Sequence, residues 1–100
     1  MEGREHIIEL YDLYKGLFTE KQKLYFENYY YEDLSLNEIA DNNGVSKSLV
    51  SKIINNTIKK LDHYEEILRI NQKEIELKKI LSDVDDTRIK KAIEEILYKD

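Results

Sequence analysis

A chain of 100 residues suits a single domain, and because it contains no cysteine, neither a disulfide nor a thiolate metal site can reinforce that domain. It has no proline and only three glycines, which permits long helices, and no apolar run approaches the roughly 18 residues that a membrane span needs. We therefore expect an all-α cytoplasmic protein, and the net charge of −5 excludes a uniformly basic surface for nucleic acid.

Two helices are predicted before residue 32. Ile7, Tyr11 and Tyr14 recur at helical spacing and predict a first helix over residues 4–15. Thr19 and Gln22 have the spacing of a capping box, which predicts a second helix over residues 20–31. Its apolar sector would contain five residues, Leu24, Tyr25, Phe26, Tyr29 and Tyr30. Because the neighbouring charges are mostly acidic, we interpret these aromatic rings as core rather than as a platform for stacking bases.

Residues 34–61 have the pattern of a helix-turn-helix. Ser35 and Glu38 form a second capping box, and Ser46 offers a hydroxyl to cap the next helix. Gly44 lies between these helices, where the chain must turn and a positive φ costs a glycine least. Two helices of an ordinary bundle, separated by a glycine cap, are the alternative.

The pattern after the turn predicts an unusually long recognition helix. Alternating steps of four and three residues define its seam, which consists of Val50, Ile54, Thr57, Leu61, Tyr64 and Leu68. The amphipathic pattern continues to about residue 82 with a break near Asn71 and Gln72, and a last helix should follow Asp85 or Asp86.

This pattern predicts a helix-turn-helix domain over residues 1–68 and a C-terminal helical extension over residues 69–100. The extension has apolar stripes but little sequence with which to bury them. It could pack back on the first helices in one compact unit, or pack on a second subunit as the dimerisation element of a homodimer. The sequence leaves both arrangements open.

Positive charge is segregated along the chain. Residues 1–33 carry a net −4, residues 34–44 carry −2, residues 45–61 carry +4 and residues 62–100 carry −3. The basic stretch is free of acids and coincides with the predicted recognition helix, which favours contact with phosphates. Lysines that merely solvate an exposed helix face are the alternative.

Catalytic and metal-binding motifs are absent from the sequence. The only histidines are His6 and His63, and no phosphate-binding glycine loop is present. Asp83, Asp85 and Asp86 lack the further ligands of a calcium loop, so we expect them to cap the last helix. The sequence therefore predicts a protein that is not an enzyme and has no cofactor and no metal site.

The second helix of a helix-turn-helix enters the major groove of DNA with its N-terminal part. If Leu49, Val50 and Ile53 pack inward, the outward positions are the predicted DNA-binding residues. These are Ser46, Lys47, Ser48, Ser51, Lys52, Asn55, Lys59 and Lys60. Lysine can donate to guanine and asparagine can pair with adenine, whereas serine discriminates little between bases. We therefore expect modest sequence specificity.

Three segments of residues 11–68 carry a family resemblance: YKGLFTEKQ, YYYEDLSLNEIA and the turn GVS. Together they resemble the YlxM-like family of small bacterial proteins, whose helix-turn-helix is similar to region 4 of sigma factors. The chain departs from that family at residues 46–50, where SKSLV replaces the usual SRQAV. Because lysine lacks the fork of arginine, backbone contacts should outweigh base reading.

The resemblance implies a DNA-binding regulatory protein encoded beside genes of the signal recognition particle and acting in that pathway. The alternative that it implies is an accessory that binds the signal recognition particle GTPase or RNA through protein contacts, without sequence-specific DNA binding.

Overall fold

The computed structural model describes residues 3–98, and within that range the chain is helical and contains no strand. The helices are α1 (Arg4–Tyr14), α2 (Glu20–Tyr30), α3 (Leu36–Asn43), α4 (Lys47–Leu68), α5 (Ile70–Leu81) and α6 (Thr87–Leu97). A 3₁₀ turn, Lys15–Leu17, follows α1. The prediction of an all-α chain is confirmed.

Local signals set the start of α2, as predicted. The Thr19 hydroxyl accepts from the Gln22 backbone N–H at 3.2 Å, and the Gln22 side chain accepts from the Thr19 N–H at 2.9 Å. Tyr25 and Phe26 of α2 are buried. The prediction for Leu24 is wrong, because its side chain is 47% exposed. Apolar residues lie around much of α2, so the sequence pattern alone does not identify the face that packs.

Two hydrophobic clusters hold the first four helices together, and α4 contributes to both. The first cluster contains Ile7, Leu10, Tyr11, Tyr14, Phe18, Phe26 and Leu61. The second contains Tyr25, Ile39, Ala40, Val50 and Ile54. The N-terminal half of α4 thus packs against α2 and α3, whereas its C-terminal half packs against α1 and α2.

Two core tyrosines place their hydroxyls against carboxylate acceptors at the rim of the core. The Tyr11 hydroxyl donates to Glu27 Oε2 at 2.5 Å, and the Tyr14 hydroxyl donates to Glu65 Oε1 at 2.6 Å. Burial, followed by the hydrogen bond to Glu27, raises the pKa of Tyr11 far above its usual value. These rings therefore act as apolar packing with satisfied polar ends.

The predicted seam of α4 holds over most of its length. Val50, Ile54, Thr57 and Leu61 are buried, and the Thr57 hydroxyl donates to the Ile53 carbonyl at 2.8 Å. Leu68 is 43% exposed, so its place on the seam is wrong. Tyr64 is the last α4 residue that packs against either cluster, and the helix extends beyond that packing.

The break after α4 falls earlier than predicted. Helix α4 ends at Leu68, and Arg69 has a left-handed backbone with φ of 52° before α5 begins at Ile70. The prediction of a break near Asn71 and Gln72 is therefore wrong by about two residues. An arginine is an uncommon residue for this backbone conformation, so no sequence signal marks the position.

The chain divides into two compact units at this break, the first ending at Leu68 and the second beginning at Arg69. In the second unit, the Asp86 carboxylate accepts from the backbone N–H groups of Arg88 and Ile89 at 2.9 and 3.1 Å. This cap starts α6, as predicted. Lys78 Nζ of α5 lies 5.4 Å from the centre of the Tyr98 ring after α6.

Candidate nucleic-acid interface

The start of α3 is fixed by the capping box that the sequence predicted. The Ser35 hydroxyl accepts from the Glu38 backbone N–H at 3.1 Å, and Glu38 Oε1 accepts from the Ser35 N–H at 2.9 Å. The hydrogen bond from the Ser35 backbone N–H, followed by an interaction with the Ser35 side chain, lowers the pKa of the Glu38 carboxyl. The charged form of Glu38 is therefore the one that caps α3.

A tight left-handed turn joins α3 to α4. Gly44 has φ of 63° and ψ of 35°, and its N–H donates to the carbonyls of Ala40 and Asp41. The Val45 N–H also donates to the Ala40 carbonyl, at 3.1 Å. The Ser46 hydroxyl then accepts from the Leu49 N–H at 3.1 Å and begins α4. Helix, turn and helix are as predicted for a helix-turn-helix.

The second cluster fixes the two helices of the motif against each other. Ile39 and Ala40 of α3 pack with Val50 and Ile54 of α4, and Tyr25 of α2 packs beneath them. All of these side chains are at most 4% exposed. The buried face of α4 is thereby defined, and the opposite face is left for a ligand.

Four of the predicted site residues lie on one exposed stripe of α4. Ser48, Lys52, Asn55 and Lys59 are all exposed and follow one another in steps of four, three and four residues. At 1.5 Å per residue this stripe is about 16 Å long. Asn56 is exposed beside it and is missing from the predicted set, although the same outward periodicity could have found it.

The other predicted residues occupy different positions. Ser46 and Lys47 are exposed at the start of α4, and the Ser46 hydroxyl is engaged as the cap. Ser51 is half-buried and faces a cleft of about 180 Å³ that Tyr29, Tyr30 and Asn55 also line. Lys60 is exposed but, one residue on from Lys59, lies about 100° round the helix from the stripe.

The charge at the start of α4 differs from that of the preceding helices. Helices α1, α2 and α3 each carry a glutamate in the first turn, namely Glu5, Glu20 and Glu38. Helix α4 begins at Lys47 and has no acid in its first turn. Because a helix N-terminus carries partial positive charge, this lysine disfavours the helix, and an external anion would relieve the repulsion.

Residues 3–98, which the structure describes, contain no group of three or more His, Cys, Asp or Glu side chains arranged to hold a metal ion. None of their helices combines the length and the hydropathy needed to cross a bilayer.

Comparisons with known proteins agree with this geometry. The model of the UPF0122 family, described as "Putative helix-turn-helix protein, YlxM / p13 like", matches residues 1–99. A UPF0122 protein of Ureaplasma urealyticum serovar 10 is 38% identical over 93 residues, covering 93% of this chain and 94% of the relative. One from Mycoplasma capricolum is 38% identical over 103 residues, covering 98% of this chain and 91% of the relative. Another, from Shouchella clausii, is 47% identical over 64 residues, covering 64% of this chain and 59% of the relative.

Proposed function

Because this chain belongs to the UPF0122 family of YlxM/p13-like helix-turn-helix proteins, we propose that it is a regulatory protein that binds duplex DNA through the first half of α4. The observation that carries the proposal is the charge of this half-helix. It has lysines and no acid, at a helix end where positive charge costs stability. Lys47 and Lys52 are exposed within residues 45–61, which contain four lysines and no acid, and this charge favours an anionic ligand such as DNA.

The groove-facing stripe consists of Ser48, Lys52, Asn55 and Lys59. Placed in the major groove, Lys52 donates to guanine acceptors and Asn55 pairs with adenine. Lys47 and the free N–H groups of the first turn hold a phosphate at the groove edge. The buried contacts of Val50 and Ile54 keep this half-helix rigid, so the stripe is presented without a folding cost on binding.

Affinity should depend strongly on salt and weakly on sequence. If the four lysines of residues 45–61 each displace about one counterion on binding, the counterion-release slope lowers affinity about a hundredfold between 50 and 200 mM salt. In this placement, Lys52 distinguishes guanine by its charged donor and Asn55 distinguishes adenine by a pair of hydrogen bonds. The serines add little to the discrimination between bases. We expect one copy to bind weakly and to distinguish few base pairs.

The test is fluorescence anisotropy with a mixed-sequence 30-base-pair duplex in 50 mM salt. We expect the double variant Lys47→Glu, Lys52→Glu to lower affinity at least tenfold, because two attractive contacts become repulsive. Lys15→Glu with Lys21→Glu is the matched control, since it changes the net charge equally on exposed residues outside α4. If both double variants lose affinity equally, or neither does, α4 does not hold the DNA.

A second candidate is a protein-interaction accessory of the signal recognition particle pathway, and the acids that follow the lysines of α4 favour it. Asp62, Glu65 and Glu66 reverse the charge of the helix within two turns, which suits a basic protein partner. Its test is retention of the signal recognition particle GTPase, with its RNA, on immobilised full-length protein. Retention that survives the Lys47 and Lys52 changes but is lost on Asp62→Lys with Glu66→Lys would support this candidate over DNA binding.

A further inference from the structure

Within the second unit, helix α6 carries an apolar stripe that α5 does not cover. Ile89, Ala92 and Ile96 recur at spacings of three and four residues and are all exposed. The exposed fraction is 48% for Ile89 and 77% for Ile96, and no residue of α6 is buried. An 11-residue helix is marginal in water without packing on such a face. Ile93 and Leu97 of α6 are half-buried and the helix contacts α5, so α6 packs on one side while this stripe stays free for a further partner.

The charges of α6 are divided between its two halves. Arg88, Lys90 and Lys91 lie in the N-terminal half, and Glu94 and Glu95 lie in the C-terminal half. Apart from the Asp86 carboxylate that caps the start of the helix, this order opposes the helix macrodipole at both ends and lowers the stability of α6 alone. An antiparallel neighbouring helix with the same order of charges would place its acidic half beside the basic half of α6. Its basic half would lie beside the acidic half of α6.

Arg88 and Glu95 also share one flank of the apolar stripe, because seven residues correspond to nearly two helical turns. In an antiparallel pair of identical helices, Arg88 of each copy faces Glu95 of the other, so the contact forms twice. In a parallel pair, the basic half of each helix would lie beside the basic half of the other, and the acidic half beside the acidic half. The pattern is thus complementary to itself only under an antiparallel two-fold arrangement.

We propose that α6 pairs with α6 of a second copy of this chain, antiparallel, through Ile89, Ala92 and Ile96. The second copy is the occupant because its apolar stripe and its divided charges match those of the first under one two-fold operation. The pairing neutralises the charges that oppose each helix dipole. It does not depend on DNA binding, since none of its residues belongs to α4.

The experiment measures the molar mass of the full chain by sedimentation equilibrium from 5 to 200 µM. We expect the unmodified chain to be dimeric at the upper end. An acidic variant, Arg88→Glu with Lys90→Glu and Lys91→Glu, and a basic variant, Glu94→Lys with Glu95→Lys, should each be monomeric. An equimolar mixture of the two variants should regain the dimer mass, because their α6 helices have opposite charge.

Further variants separate this pairing from general effects of charge and folding. A chain with all five reversals should dimerise, since it keeps antiparallel complementarity. Lys47→Glu with Lys52→Glu should leave the mass unchanged. Ile96→Asp should abolish the dimer, whereas Leu17→Asp, at a side chain that is 58% exposed in the first unit, should not. Circular dichroism of each variant verifies that the helices of the first unit remain folded.

Three results would overturn the proposal. The first is a monomeric unmodified chain at 200 µM. The second is a dimer that persists in both the acidic and the basic variant. The third is a mixture of those variants that stays monomeric.

Discussion

The two capping boxes have the same geometry but differ in charge. Gln22 caps α2 with a neutral amide, and Glu38 caps α3 with a carboxylate, each accepting from a backbone N–H at 2.9 Å. The carboxylate adds a favourable interaction with the helix dipole that the amide lacks. Protonation should therefore weaken the start of α3 and leave that of α2 unaffected.

Acid should consequently destabilise the helix-turn-helix partly through Glu38. Its folded-state pKa lies below the usual 4.5, so its contribution is present above pH 4.5 and is lost as the pH falls through the folded-state pKa. We expect Glu38→Gln to flatten the fall of the unfolding temperature between pH 6 and pH 3, measured by circular dichroism. Gln22→Glu should steepen it. An unchanged pH profile in both variants would contradict this role for the box.

Local caps could be predicted from the sequence, whereas the burial of some side chains could not. Ser35, Glu38, Gly44 and Ser46 act through neighbours within four residues, so their roles could be predicted from spacing alone. The exposure of Leu24 depends on which side of α2 meets α1 and α4, which no local pattern encodes. Ser51 is half-buried for the same reason, because Tyr29 and Tyr30 of α2 lie across the cleft from it.

The turn between α3 and α4 determines how the proposed groove-facing helix is presented. Gly44 has a positive φ of 63°, and a Cβ placed there would meet no atom within 4 Å. The cost of a side chain is thus conformational rather than steric crowding. Glycine at position 44 is therefore favoured by the backbone conformation and not by a lack of space for a side chain.

We expect Gly44→Ala to lower the free energy of unfolding by about 1 kcal/mol, since alanine disfavours the left-handed backbone. Gly16→Ala is the matched control. A Cβ at Gly16 also meets no atom within 4 Å, but Gly16 has no positive φ, so this change should have little effect or stabilise slightly. Urea denaturation measures both variants. Equal losses would show that the turn does not require glycine for its backbone.

Helix lengths were predictable to different degrees. The repeating seam of α4 predicted its long course past Leu61, because that periodicity reflects real burial against α1 and α2. Its end was not predictable, because Arg69 adopts a left-handed conformation that is usual for glycine or asparagine. Helix α6 was predictable from Asp86, whose carboxylate forms the cap.

At the scale of the whole molecule, opposite charges are kept apart along the chain. The first half of α4 is basic, while the segments before and after residues 45–61 are net negative. A net charge of −5 limits nonspecific attraction to nucleic acid, so approach to DNA would require the orientation that presents α4. Because of this distribution, the total charge alone does not argue against the proposed binding.

The first unit contains both hydrophobic clusters in full, from which we predict that a chain ending at Leu68 folds on its own. Urea denaturation followed by circular dichroism should show one cooperative transition for this fragment. A fragment ending at Asn56 is the matched control, because it loses Leu61 and Tyr64 from the first cluster and should not fold cooperatively. The fragment ending at Leu68 should also be monomeric at 200 µM, since it lacks α6. If it were unfolded, the second unit would have to supply stability that the two clusters do not.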